Sequence, residues 1–116
     1  MPDNDVTDEI TAQRLRLGSG FSADEREAIV DRMGSLDRRL ATFGAARVDL
    51  ELSVKERGMP SQRVVLECAI AGWPRSVATS TRTQIDDAVN EARDDLLRQL
   101  NDLKTRTEQR GRRAAR

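Results

Sequence analysis

RVDLELSVK (47–55) is the stretch on which the fold turns. Val48, Leu50, Leu52 and Val54 alternate with Arg47, Asp49, Glu51, Ser53 and Lys55. A period of two places successive side chains on opposite faces of a strand. One of these faces is apolar and the other charged, so the strand belongs to a sheet with one wet side. ERGMPS (56–61) is a hairpin-type connection, and QRVVLECAI (62–70) repeats the pattern with Val64, Leu66, Cys68 and Ile70 on one side. AGWP (71–74) reads as another turn. RSVATS (75–80) is a weaker strand, because Pro74 restricts it to a strand start or an edge.

Working outward, ITAQRLRL (10–17) reads as a short strand, Leu15 and Leu17 on one face and Arg14 and Arg16 on the other. GSG (18–20) is a turn. Ser22 followed by Glu25 has the spacing of a capping box and opens a helix. Its apolar stripe, Ile29, Met33, Leu36, Leu40 and Phe43, keeps helical spacing until Gly44 ends it. A second, longer helix is predicted from Thr81 to Glu108, with the stripe Ile85, Val89, Ala92, Leu96, Leu100 and Leu103. Beyond Leu103 the helix has nothing to bury.

The order β-α-β-β-β-α predicts an α+β fold: a four-stranded mixed sheet with both helices packed on one face and the other face open. The first strand reaches the second through a helical crossover and pairs parallel to it. The remaining strands follow as an antiparallel meander. Residues 1–9 are expected to be an acidic disordered N-terminus, 10–108 the folded domain, and 109–116 a basic flexible tail.

Composition narrows the function. The 116 residues fit one domain, and 20 bases balance 20 acids. That balance hides a gradient. Residues 1–9 hold Asp3, Asp5, Asp8 and Glu9 and no base, whereas 104–116 hold Lys104, Arg106, Arg110, Arg112, Arg113 and Arg116 against Glu108 alone. Ends of opposite sign suit a basic arm meeting a polyanion, or a solubilising tail. There is no histidine, and Cys68, the one cysteine, sits in an apolar run. Neither a disulfide framework nor a metal cluster can be built from it, and it reads as a small buried hydrophobe. GSG is too short for a phosphate loop. The expectation is a non-enzyme with no metal, cofactor or small-molecule substrate. MPDNDVTDEI lacks the apolar core of a signal peptide, and no apolar stretch approaches the roughly 20 residues that span a bilayer. A cytoplasmic protein with no membrane partner is expected.

Two segments carry a family resemblance. QIDDAVNEARDDLLRQLNDLK (84–104) is similar to the pattern AID-x-A-x-D-K-L-x-R-Q-L-x-K-x-K, with Ile85-Asp86 and Arg98-Gln99-Leu100 in place. FSADEREAIVDRMGSLDRRL (21–40) is similar to T-x-A-L-R-x-x-V-x-x-K-L-x-x-L. With the element order, these resemble the ribosome hibernation-promoting factors, also called protein Y, ribosomal subunit interface proteins or the sigma-54 modulation family, over residues 10–108. Departures mark a divergent member. Ser80 and Arg82 stand where the family has Asp and Tyr, and Asp31, Ser35, Asp95 and Asn101 stand where lysines are expected. Longer members carry a dimerising domain after a linker, and the arginine-rich end resembles the start of such a linker. The resemblance implies a monomeric domain that lodges on the small ribosomal subunit, in the mRNA/tRNA channel, against rRNA phosphates and ribosomal proteins. There it would block translation and preserve idle ribosomes under stress.

On a helical wheel of the long helix the apolar stripe centres near 15°, and Arg82, Arg93 and Lys104 fall at about 60°, 80° and 100°, on one flank. Most acids fall on the back and the other flank; Asp86 and Arg98 break the segregation. In the first helix Arg32 and Arg39 share a flank and Arg38 points away from the core. The alternative reading of these bases is ordinary solvated faces with pairs such as Asp94–Arg98. With the resemblance, the expected RNA-contacting residues are Arg39, Arg82, Arg93, Arg98, Lys104, Arg106 and Arg110. Arg14, Arg16, Arg47, Lys55 and Arg63 point away from the helices, but Asp49, Glu51 and Glu67 dilute them, and no aromatic stands on that face. Trp73, in a turn, reads as a lid on the core. The competing expectation is a non-catalytic protein-interaction module that uses the long C-terminal helix.

Overall fold

A computed structural model describes residues 10–114, and the side chains of 10–105. The acidic segment 1–9 and the last two residues of the basic tail lie outside the described residues. The chain forms α1 (Ile10–Arg14), β1 (Leu15–Leu17), α2 (Arg26–Met33), α3 (Asp37–Ala41), β2 (Val48–Lys55), β3 (Arg63–Ile70), β4 (Ser76–Ser80) and α4 (Ile85–Ala114). The sheet order is β1-β2-β3-β4, with β1 parallel to β2 and the rest antiparallel. This is the predicted α+β layout.

The alternation in 47–55 sets the layers. Val48, Leu50, Leu52 and Val54 are buried, as are Val64, Leu66, Cys68 and Ile70 on β3. Register aligns them in rows: Leu15, Leu50, Cys68 and Ser76 form one, Leu17, Leu52, Leu66 and Ala78 the next. Against this face lie Ile29, Met33, Leu36, Leu40 and Phe43 from one side and Ala88, Val89, Ala92, Leu96 and Leu100 from the other. Small residues at Ser76, Ala78, Ala88 and Ala92 let α4 pack closely on β3 and β4. Cys68 is 1% exposed, and burial pushes its thiol up to about 12. It is inert packing, as its place in an apolar run predicts.

Three predicted elements differ. Residues 10–14 are a helical turn, not strand. The carboxylate of buried Asp37 accepts from Thr11 N–H (2.8 Å), one of the N–H groups a helix start leaves unpaired. Arg26 closes the turn by donating to Ala12 O (2.7 Å) and Leu15 O (2.8 Å). The single helix predicted from Ser22 to Phe43 is broken. It opens as a 3-10 turn at Ala23–Glu25 and tightens again to 3-10 at Gly34–Leu36. Gly34 and Ser35 are weak helix formers, and the three-residue step from Met33 to Leu36 matches a 3-10 turn, so the stripe stays buried. The last helix starts at Ile85 rather than Thr81 and runs to Ala114 rather than Glu108. Its final residues contain no proline and are mostly good helix formers, so the backbone bonds continue past the last buried leucine.

The predicted capping box is present, with Ser22 N–H donating to Glu25 Oε1 (3.0 Å). The same carboxylate takes a two-pronged bond from Arg57 of the β2–β3 loop (2.8 and 2.5 Å), and the Arg57 guanidinium lies 5.1 Å from the Phe21 ring centre. The Arg57 bond, then Ser22 N–H, hold Glu25 at about 2, below its ordinary 4.5. A carboxyl whose folded value is depressed stabilises fully above its unfolded value, and that contribution is lost as pH falls towards 2. Glu25→Gln is therefore expected to lower stability by about 1 kcal/mol at neutral pH, the modest worth of a partly solvated pair. Its urea midpoint should converge on that of the native chain near pH 2. A gap that persists in acid would refute the assignment.

Candidate nucleic-acid interface

The two helical layers run side by side in the same direction. Arg32 on α2 meets the start of α4, pairing with Asp86 (3.1 Å) and donating to Asn90 Oδ1 (3.3 Å). Eleven residues later Phe43 meets its far end, where Lys104 Nζ lies 5.8 Å from the Phe43 ring centre. The predicted shared flank of Arg93 and Lys104 is therefore the seam between the helices.

Most of the expected contact residues are already engaged. Arg93 is only 22% exposed; it donates to Arg32 O (3.0 Å) and pairs with Asp94 (2.8 Å). It is a clasp between α4 and α2. Arg82 is not on the helical wheel at all, because α4 begins three residues later; it pairs with Glu91 (3.4 Å). Arg98 is exposed and bonded to Asp95. Together Arg82, Arg98, Asp87, Asn90, Glu91, Asp94 and Asp95 line an open groove of about 720 Å³ beside Thr79, Ser80 and Thr81. The Ser80 hydroxyl donates to Glu91 (2.6 Å), which with Arg82 keeps that carboxyl below its usual range. This groove is a mixed-charge surface, not the continuous basic edge expected from the wheel. The wheel ranks angles along one helix and carries no information on the acids that β4 and the helix start bring alongside.

The open sheet face is likewise mixed. Arg16 pairs with Asp49 (3.4 Å), and Arg75 with Glu67 (2.7 Å). Lys55 and Arg63 lie opposite each other near the hairpin loop and form no ion pair among the described residues.

Unpaired cations gather at the other end. Arg38 is exposed and Arg39 half-buried, one turn before Phe43 on α3. Arg47 is exposed in the turn that enters β2, and its carbonyl accepts from Ala71 N–H (3.1 Å), which joins that turn to the β3–β4 turn. Among the described residues none of Arg38, Arg39, Arg47 and Lys104 forms an ion pair. At the same end stands Trp73, half-buried, its ring edge-to-face with Phe43 at 4.6 Å and 87°. It lids the core as predicted. Asp102 lies beside Leu103 and Pro74 in the same region. The side chains of Arg106 and Arg110 lie outside the described residues; their backbone belongs to α4, which leads away from this end.

Of the expected residues, then, Arg39 and Lys104 both flank Phe43 at this end, and Arg82, Arg93 and Arg98 are engaged elsewhere. Arg47 and Arg38 complete the cluster, and neither was among the expected contacts. The only signal for them in the sequence is their lack of a carboxylate at helical or cross-strand spacing. Among the described residues no helix is long and apolar enough to cross a membrane. No protein-family model, curated protein or solved structure matches the chain.

Proposed function

We propose that this domain is a ribosome-associated hibernation factor, which occupies the mRNA/tRNA channel of the small subunit and inhibits translation without chemistry of its own. The observation that carries the reading is the group of cations Arg38, Arg39, Arg47 and Lys104, which form no ion pair among the described residues, at the end from which the arginine-rich stretch departs. The α+β layout with two helices on one sheet face is the one the family resemblance implies. Along the helix groove and across most of the open sheet face, by contrast, Arg16, Arg75, Arg82, Arg93 and Arg98 are each matched to an acid, so a net-neutral protein keeps charge for a polyanion at this end. Such binding draws on phosphate contacts, which position a protein by shape and carry little base specificity. A channel already shaped by folded rRNA suits that mode, and occupancy alone is enough to exclude mRNA and tRNA.

Co-sedimentation with purified small subunits tests it. Four phosphate contacts predict a binding constant that falls by about 50- to 150-fold for a fourfold rise in salt, the lower value for single-stranded and the higher for duplex RNA. The same protein added to a cell-free translation reaction should suppress initiation. Absence of binding at every salt concentration overturns the reading and favours the protein-interaction module, whose long helix would then be the contact.

A further inference from the structure

The end that carries the unpaired cations also carries the one indole of the chain, and we infer that Trp73 is a stacking platform for an unpaired nucleotide of single-stranded RNA. The inference rests on the ribosomal reading for its partner and adds what that partner must present. Trp73 makes one ring contact, the edge-to-face one with Phe43, and among the described residues no ring or guanidinium stacks on it. Its indole N–H donates to no acceptor among those residues and is not among the buried unpaired atoms, so it retains contact with solvent. An aromatic that served only as packing would hide this group or satisfy it.

The surroundings are those of a single-strand site. Arg47 is joined to the Trp73 turn through the Arg47 O to Ala71 N–H bond, and Lys104 sits over the Phe43 ring that Trp73 abuts. Arg38 and Arg39 lie one helical turn before Phe43. Cations around an aromatic face bind phosphates while a base stacks on the ring. A duplex cannot use such a platform, because its bases are already stacked and their edges lie in the grooves. An acidic peptide would use the cations and leave the indole idle, so the indole's response separates the two.

Trp73 is the only tryptophan and there is no tyrosine, so the emission of the full chain reports on this residue. Titration with short oligouridylate is expected to quench it saturably, and a blunt RNA duplex of the same length is expected not to. Arg38→Ala/Arg39→Ala/Arg47→Ala should weaken oligouridylate binding at least tenfold, and Arg98→Ala should leave it within twofold. With labelled oligouridylate and anisotropy as readout, Trp73→Leu should weaken binding about tenfold and Trp73→Phe should recover most of it. Thermal melts of each variant check that the fold survives; the Phe rescue separates stacking from mere packing. No quenching, equal response to duplex, or native-like affinity of Trp73→Leu overturns the platform. If small subunits still sediment with the protein in that case, the platform fails and the ribosomal reading stands. If oligouridylate quenches but subunits do not bind, the platform stands and the ribosomal reading fails.

Discussion

Gly20→Ala is expected to destabilise the domain by about 4 kcal/mol, from a strained backbone and a steric clash together. Gly20 sits at φ +91°, where a β-carbon is strained whatever the space. The space is also absent. A β-carbon there would lie 2.4 Å from both Val54 O and Val54 Cγ1. The crowding has a cause in the sheet. After β1 the chain keeps hugging β2, with Gly18 N–H donating to Leu52 O (2.7 Å) and Val54 N–H donating to Ser19 O (2.9 Å). Arg57 then holds Gly20 O (2.9 Å). A methyl group must push apart the one parallel pair in the sheet. Gly44 supplies the control. It has a similar φ of +98°, yet the nearest atom to an added β-carbon is Arg47 Cδ at 3.9 Å, an ordinary contact. Gly44→Ala should cost about 1 kcal/mol, the conformational part alone. Thermal melts should separate the two by roughly 15 °C for a domain of this size. Equal losses would mean that the loop yields and the clash does not matter.

The contrast shows what a sequence can and cannot announce. GSG reads as a turn from composition, but its pressing against Val54 follows from β1 being parallel to β2, a tertiary fact. The same division runs through the fold. The period-two patterns of 47–55 and 62–70 locate β2 and β3 to within a residue, because each buries one face and solvates the other. The pattern in 10–17 misleads. Leu15 and Leu17 alternate with arginines, yet only three residues pair, and the stretch before them curls because Asp37 and Arg26 offer bonds across 26 and 14 residues of chain. No local period encodes that. The site divides likewise. Arg93 and Lys104 do share a flank, as the wheel has it. That α2 fills the upper part of that flank, turning Arg93 into a clasp, depends on how two helices lie on one sheet. Arg47 and Trp73 share one end of the domain only because the turn that enters β2 bonds to the β3–β4 turn.

Gln62→Ala is expected to cost about 3 kcal/mol, nearly as much as a large cavity, from a residue whose type suggests a solvent-exposed loop. Gln62 is 1% exposed. Its Nε2 donates to Arg82 O (2.9 Å) and Thr83 O (3.2 Å), and its Oε1 accepts from Gly58 N–H (2.8 Å). One amide thus ties the β2–β3 loop to the segment that launches α4, using both its donor and acceptor ends. Truncation leaves a void, a Gly58 N–H without its acceptor and two carbonyls short of a donor. Each buried unsatisfied group costs about 1–3 kcal/mol, and water entering the void recovers part of that. Gln62→Glu sharpens the test. The new carboxyl keeps the acceptor for Gly58, but when ionised it faces two carbonyl oxygens with nothing to donate. Burial and those oxygens raise its folded pKa above the unfolded value, so the variant is least stable at neutral pH. Protonation restores a donor, and its stability relative to the native chain should recover as pH falls through that raised value. Gln62→Ala should show no such dependence. If both variants melt within about 3 °C of the native chain at neutral pH, the amide is a passenger, and packing of Ile85, Ala88 and Val89 alone positions the start of α4.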